Sequence, residues 1–141
     1  MSAGDPPAAT RLVIHVDGGA RGNPGPAAIG VVVSAPDGGV LDELAEPIGV
    51  ATNNVAEYRA LLRGLERAAA LGAREVELVN DSELVARQIT GAYKVKHPAM
   101  KPLHAQAMSA LRGFDAWTIR SVPRAQNARA DTLVNHALDG G

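Results

Sequence analysis

The segment RLVIHVDGGARGNPGPAAIGVVVS, residues 11–34, decides the fold prediction. It begins with a β-branched run, Arg11–Val16, which predicts a strand buried on both faces. Residues 17–26 are rich in Gly and Pro and predict a loop, because glycine permits backbone shapes that other residues cannot adopt. Ile29–Ser34 predicts a second strand. Asp17 is therefore expected where the first strand ends.

Outward from this segment, the pattern predicts a single α/β domain. A hairpin turn at residues 36–39 leads to a third strand, from Val40 to about Pro47. A long amphipathic helix follows Thr52-Asn53-Asn54 and stops near Gly72, a glycine suited to a helix C′ position. The remaining predicted elements are strands at Glu75–Asn80 and Trp117–Ser121, and helices at Ser82–Thr90, about Pro102–Leu111 and about Asn127–Leu138. The order βββαβααβα predicts a five-stranded mixed sheet, antiparallel at first and then parallel, flanked by helices.

Composition bounds the class of protein. The 141 residues, 46% hydrophobic and 21% charged, suit one globular domain at residues 11–139, preceded by a flexible tail at residues 1–10. The absence of cysteine excludes disulfides and zinc-thiolate sites and fits a cytoplasmic location. No apolar run is long enough to cross a bilayer, so no membrane partner is expected. With a net charge of −1, a polyanionic partner must be held by local cations and metal ions. A monomer is expected.

Four acidic residues are placed where the predicted chain turns. Asp17 and Asp81 follow strands, Glu57 opens the long helix, and Asp131 lies near the start of the last one. Each has an ordinary structural explanation. Asp17 could belong to a turn, and Glu57, at capping-box spacing from Asn54, could reach back to the N-terminus of its helix. Asp81 could be an N-cap, and Asp131 could be a favourable charge at a helix start.

Together the four acids predict a metal site. If the first and fourth strands are parallel neighbours, Asp17 and Asp81 emerge side by side at the carboxyl ends of the strands. Four clustered carboxylates would repel one another unless cations neutralised them. Two hard divalent ions about 4 Å apart would do so, and would also bind both oxygens of a phosphoryl displacement.

Four segments carry a family resemblance: DGGARGNPGP (residues 17–26), TNNVAEY (52–58), NDS (80–82) and NARAD (127–131). In order and approximate spacing they resemble the motifs of type I ribonuclease H, and they span the chain from Leu12 to Ala137. The chain most resembles the bacterial and archaeal subgroup, which includes the N-terminal domain of actinobacterial two-domain proteins with a phosphatase-like second half. The resemblance leaves open a stand-alone protein or a first domain whose phosphatase-like C-terminal partner is absent from this sequence.

The resemblance implies the ribonuclease H-like fold and an endonuclease that cleaves the RNA strand of RNA/DNA hybrids. The family leaves 5′-phosphate and 3′-hydroxyl ends and uses two Mg²⁺ or Mn²⁺ ions. By motif match, the metal ligands and catalytic residues would be Asp17, Glu57, Asp81 and Asp131. Asp17 would bridge the two ions, and Asp131 would matter least for metal affinity.

Substrate contacts are also carried over by motif match. Selectivity for RNA requires recognition of the 2′-hydroxyl in a shallow minor groove, and amides that both donate and accept suit that task. The candidates are Asn23, Asn53, Asn54 and Asn127, with Gly18 and Gly19 for close backbone approach and Thr52 for a DNA-strand phosphate. The plain alternative for these residues is a turn and a helix cap, and both roles can coexist.

Two departures from well-known family members stand out. Their extra basic helix and loop are replaced here by the short stretch 91–101, whose cations include Lys94 and Lys96, so we expect weaker and more salt-sensitive binding. Ordinary solvated surface charge is the alternative. The loop before Asp131 also lacks the family's His, and Arg124 is the candidate catalytic substitute. A guanidinium can stabilise a phosphate but cannot shuttle a proton near neutral pH.

Two other functions fit the same residues. One is a nuclease of the same fold acting on double-stranded RNA or DNA junctions, since functions are grafted onto folds. The other is a non-catalytic hybrid-binding module, although such a module would be expected to have lost a carboxylate. A P-loop is excluded because the Gly-rich loop lacks the Gly-Lys-Ser/Thr ending.

Overall fold

The computed structural model describes residues 10–140, so the predicted tail lies outside the described residues except for Thr10. The strands are β1 (Arg11–Ala20), β2 (Gly25–Ser34), β3 (Val40–Ala51), β4 (Glu75–Asn80) and β5 (Ala116–Ser121). The helices are α1 (Asn53–Ala70), α2 (Glu83–Thr90), α3 (Lys101–Leu111) and α4 (Ala128–Leu138), with a 3-10 turn at Arg124–Asn127. None of the helices within residues 10–140 has the length and apolar character needed to span a membrane.

The five strands form one mixed sheet in the order β3-β2-β1-β4-β5. β1, β2 and β3 are antiparallel neighbours, whereas β1–β4 and β4–β5 are parallel pairs. The predicted sheet, antiparallel at first and then parallel, is confirmed. The central strand β1 and its neighbour β4 come from distant parts of the chain, and their parallel pairing places their carboxyl ends side by side.

The main core lies between the sheet and helices α1 and α3, and α4 packs on the opposite face. The apolar face of α1 buries Tyr58, Leu61 and Leu65. Gly64 lets this helix approach β1 closely, because a Cβ there would lie 2.8 Å from Ile14. This close packing fixes the distance between α1 and β1, and so the position of the first turns of α1 beside the carboxyl ends of the central strands.

β1 is longer than predicted. It continues through Gly18 and Gly19, which pair with Ile29 and Ala28 of β2, and β2 already begins at Gly25. The loop prediction for residues 17–26 is therefore wrong at residues 17–20 and 25–26. A side chain at Gly18 could not be accommodated, because its Cβ would lie 2.2 Å from the Ala56 carbonyl oxygen. Glycine here therefore serves helix–strand packing. The parallel ladder between β1 and β4 ends at the pair His15 and Val79, so Asp17 lies two residues beyond it.

Hydroxyl residues, not carboxylates, cap the helices beside the site. The Thr52 side chain accepts a hydrogen bond from the Val55 backbone N–H at 3.2 Å and caps α1. The Ser82 hydroxyl caps α2 through Val85 at the same distance. Neither Glu57 nor Asp81 is used as a cap, so the ordinary structural explanations for these two acids are wrong.

Candidate active site

The structure brings the four acidic residues to one edge of the sheet. Asp17 lies within β1, beyond its last pair with β4, and has 6% of its surface exposed; Asp81 follows β4 with 10% of its side chain exposed. Asp17 is close enough to Asp81 and Asp131 to feel both charges, and it shares a hydrogen bond with Asp131. Glu57, from the second turn of α1, is close enough to feel the charge of Asp81. Four elements thus supply one carboxylate each.

Ionisation of the clustered carboxyl groups is unfavourable. Burial, followed by the neighbouring charges of Asp81 and Asp131, raises the pKa of Asp17 to about 8, while Arg124 opposes the rise. Burial and the charge of Asp81 raise the pKa of Glu57 to about 7, against the opposing effects of the Ser82 hydroxyl and Arg124. Near neutral pH both groups therefore hold protons part of the time.

Arg124 is the cation nearest to these acids. Its Nε lies 3.5 Å from Asp81 Oδ2, while its side chain remains 75% exposed. Asp81 Oδ2 is itself buried and makes no hydrogen bond. The guanidinium therefore partly neutralises the carboxylate without satisfying it.

An open cleft of about 400 Å³ lies over the cluster. Asp17, Glu57 and Asp131 line it, together with Arg124 and the backbone of Gly18 and Gly19. Asp81 lies at the border of a second groove of about 610 Å³ between α2 and β5. The carboxylates are therefore reachable from an open surface.

The candidate amides beside this cleft form a short hydrogen-bonded chain. Asn53 Oδ1 accepts from the Ala20 backbone N–H at 2.8 Å, and Asn23 Oδ1 accepts from the Asn53 backbone N–H at 3.0 Å. Both amide oxygens are thus engaged by the backbone, which orients their NH₂ groups and leaves these free to donate. Asn54 is half-buried in the first turn of α1.

The other predicted substrate contacts lie in different environments. Asn127 is 1% exposed, and its Nδ2 donates to the Val16 carbonyl at 2.9 Å, so it fixes the 3-10 turn against β1. The Thr52 hydroxyl is engaged as a helix cap. Lys94 and Lys96 are exposed in the stretch between α2 and α3. The structure therefore gives Asn127 a supporting position and leaves the two lysines available to a ligand.

Three polar residues at the site were missed by sequence reasoning. Ser82 contacts Glu57 in addition to capping α2. Arg21 and Asn135 line the cleft, and Asn135 donates to the carbonyl of Asp131. The spacing of four residues between Asp131 and Asn135 on one helix face was a signal that could have found Asn135.

Comparison with known proteins identifies the relatives of this fold and site. The family model described as reverse transcriptase-like matches residues 15–137. The chain is 50% identical to ribonuclease HI of Halobacterium salinarum over 129 residues, 92% of this chain and 65% of that protein. The crystal structure of the H. salinarum RNase H1 superposes with a TM-score of 0.91, covering 93% of this chain and 99% of that one.

The chain belongs to the type I ribonuclease H family. A second ribonuclease H neighbour, LC11-RNase H1 solved in complex with an RNA/DNA hybrid, has a TM-score of 0.88 at 46% identity and covers 92% of this chain and 97% of that one. The bifunctional protein Rv2228c of Mycobacterium tuberculosis is 49% identical over 92% of this chain. The chain spans 65% of the length of the H. salinarum relative and 36% of Rv2228c.

The donor set of the site fits hard divalent cations. All four acidic side chains offer oxygen, the ligand atom that Mg²⁺ and Mn²⁺ favour. Asp81 Oδ2 has no hydrogen-bond partner, and the raised pKa values of Asp17 and Glu57 indicate that the protein by itself does not stabilise their charged forms, which a bound cation would do. Within residues 10–140 no three His, Asp or Glu side chains stand ready-made around one ion position. The carboxylates would therefore adjust their rotamers when ions bind.

Proposed function

We propose that this protein is an endonuclease that hydrolyses the RNA strand of RNA/DNA hybrids with the help of two divalent metal ions. The observation that carries the proposal is a cluster of four carboxylates with too little protein cation to balance them. Asp17, Glu57 and Asp131 line an open cleft, and Asp81 lies beside them at the border of the neighbouring groove. The membership of the chain in the ribonuclease H family supports the same activity. The products would carry 5′-phosphate and 3′-hydroxyl ends.

The four carboxylates of Asp17, Glu57, Asp81 and Asp131 would hold the ions. When bound, Mg²⁺ or Mn²⁺ ions would supply an activated water and stabilise the departing 3′-oxygen. The burial of Asp17 and Glu57 would keep bulk water from weakening these contacts. Arg124, exposed beside Asp81, would turn towards the scissile phosphate and stabilise its negative charge.

RNA selectivity would come from the amides beside Glu57. Asn23 and Asn53 have their oxygens fixed by backbone donors, so their NH₂ groups would be aimed at a 2′-hydroxyl and at base edges in the minor groove. Gly19, which lines the cleft and has no atom closer than 3.8 Å to the place of a Cβ, would let the sugar approach the backbone, whereas the space at Gly18 is filled by α1. Lys94 and Lys96 would contact backbone phosphates and contribute affinity without sequence preference.

A panel of substrates tests the proposal. Labelled RNA/DNA hybrid, double-stranded RNA and double-stranded DNA are each offered with Mg²⁺, Mn²⁺ or a chelator, and the product ends are mapped on a gel. We expect cleavage of the RNA strand of the hybrid alone, only with metal, and leaving 5′-phosphates. Preferred cleavage of double-stranded RNA would favour the alternative nuclease, and metal-dependent binding without cleavage would favour the non-catalytic module.

A further inference from the structure

A second polar cluster lies next to the carboxylates and is made of Tyr58, Gln88 and His104. Tyr58 directly follows Glu57 in the chain. Tyr58 is fully buried, and its hydroxyl donates to Gln88 Oε1 at 2.7 Å. The His104 ring meets the Tyr58 ring edge-on, with 6.3 Å between centroids. Helices α1, α2 and α3 each contribute one side chain. None of these three has a role in the chemistry proposed above.

Gln88 is the centre of this cluster and is 5% exposed. Because its Oε1 accepts from Tyr58, its Nε2 faces the other way and donates a long hydrogen bond, 3.5 Å, to the Lys94 carbonyl. Its backbone carbonyl accepts from the Gly91 N–H at 3.2 Å and lies 3.1 Å from His104 Nε2. A carbonyl can only accept, so His104 carries its proton on Nε2.

The contacts of Gln88 lead to the basic connection, which we define as residues 91–100 between α2 and α3. The start of the connection is also held by Tyr93, whose backbone N–H donates to the Arg87 carbonyl at 3.1 Å and whose ring lies 5.5 Å from the Arg87 guanidinium. Val95 packs against the core. Between these two anchors Lys94 is exposed, and the Gln88 amide is the side chain that reaches its backbone.

We propose that Gln88, oriented by Tyr58, is a positioning residue that holds the lysines of the basic connection at a fixed distance from Glu57 and so raises affinity for nucleic acid. The proposal rests on the proposed function, in which Lys94 and Lys96 contact the hybrid. Tyr58 and Glu57 are consecutive on α1, so this network ties the phosphate-binding segment to the helix that carries a metal ligand. A segment already ordered before binding loses less entropy when it binds.

A purely structural role for Gln88 predicts a different response to substitution. Gln88→Leu leaves the buried Tyr58 hydroxyl without an acceptor, which is costly by itself. The double variant Tyr58→Phe/Gln88→Leu replaces both partners with apolar groups, which can restore stability. It does not restore the bond to Lys94. Stability and hybrid affinity should therefore separate in the double variant.

The experiment measures KM, kcat and amide hydrogen exchange in wild type, Gln88→Leu, the double variant and a control. We expect Gln88→Leu and the double variant to raise KM for the hybrid by about three- to tenfold, with kcat changed by less than about twofold. The salt dependence of affinity should keep its slope, because no phosphate contact is lost, whereas Lys94→Ala/Lys96→Ala should reduce it. Amides of residues 93–96 should exchange faster in both Gln88 variants. Gln106→Leu, on the exposed face of α3, is the matched control and should change none of these.

Recovery of wild-type KM in the double variant, or exchange at residues 93–96 that matches wild type, would overturn the positioning role. Faster exchange with an unchanged KM would overturn it as well. The exchange measurement uses free protein and does not depend on the substrate. If wild type failed to bind or cleave the hybrid, the proposed function would fall separately, and exchange would still show whether Gln88 holds the connection.

Discussion

Glu57 and Tyr58 are neighbours on one helix, yet they serve two buried polar clusters built on opposite rules. Around Glu57 the carboxylates repel one another, Asp81 Oδ2 has no hydrogen bond, and two pKa values are raised well above their ordinary range. Around Tyr58, the hydroxyl and both ends of the Gln88 amide have partners. The two clusters are buried to a similar extent, but they differ in whether their polar atoms have hydrogen-bond partners.

The difference separates a functional cluster from a supporting one. A buried polar group without a partner lowers stability, so a fold retains a group of such residues when something outside the protein completes it. The satisfied cluster stabilises and orders its surroundings without needing a ligand. Substitutions in the two clusters should therefore change stability in opposite directions, and only the first should control chemistry.

The largest expected effect is on catalysis at Asp17. Asp17→Asn removes the central charge of the carboxylate cluster and should reduce hybrid cleavage by at least about a thousandfold. Hybrid binding, measured by fluorescence anisotropy, should change little, because the amide and lysine contacts remain. Asp115→Asn is the control, since that exposed carboxylate pairs with Arg74 at the other end of β5. Full activity in Asp17→Asn would end the metal-bridging role.

Arg124 tests how the unsatisfied cluster is balanced. Arg124→Ala should slow turnover about ten- to a thousandfold, equal to about 1.4–4 kcal/mol of barrier. It should also tighten Mg²⁺ binding, because the metal no longer competes with a guanidinium 3.5 Å from Asp81. Isothermal titration with metal and single-turnover kinetics give the two readings. An Arg112→Ala control, at the exposed C-terminal end of α3, should leave the turnover rate and Mg²⁺ affinity unchanged. An unchanged rate in Arg124→Ala would show that Arg124 has no catalytic role.

The pH dependence of the free energy of unfolding measures the cost of ionising the buried Asp17 carboxyl. The pKa of Asp17 is about 8 in the folded protein, against an ordinary value of 3.8 that applies to the unfolded chain. The native state therefore binds the proton more tightly than the unfolded state. Metal-free protein should therefore lose stability as pH rises from about 4 to about 8. Asp17→Asn should remove most of this loss, with a gain of about 2–4 kcal/mol at pH 9 that vanishes near pH 4. Urea unfolding in chelator at the two pH values measures it, and an equal gain at both would contradict the electrostatic origin.

The smallest expected effect comes from the satisfied cluster and has the opposite sign. Tyr58→Phe leaves Gln88 Oε1 buried without its donor and should destabilise the protein by about 1–2 kcal/mol. Burial raises the pKa of Tyr58 to about 12, so the hydroxyl stays protonated and the loss should be the same at pH 5 and pH 9. Urea unfolding at the two values tests this. A stabilising Tyr58→Phe substitution would remove the distinction between the clusters.

Sequence patterns predicted the strands and the helices because these follow local periodicity, and the order of the elements along the chain predicted a sheet that is antiparallel at first and then parallel. β4 is the case where pattern and structure agree at both ends, Glu75 and Asn80. The extension of β1 through Gly18 and Gly19 was missed, since a Gly-rich stretch is typical of a loop and only pairing with β2 makes it a strand. The capping prediction failed for a similar reason, because Thr52 and Ser82 outcompete the nearby carboxylates for the helix ends.

The sequence by itself determined which residues carry the chemistry: four acids, each at a junction between elements, and a family resemblance that spans the chain. The tertiary structure decided what each acid faces, which pKa values are raised, and that Asn127 is a buried support for Val16, 111 positions away in the chain. It alone identified Gln88 as the link between α1, α3 and the basic connection. Local periodicity records which face of an element is apolar, but not which distant side chain meets a polar atom, because that partner is chosen when the layers pack.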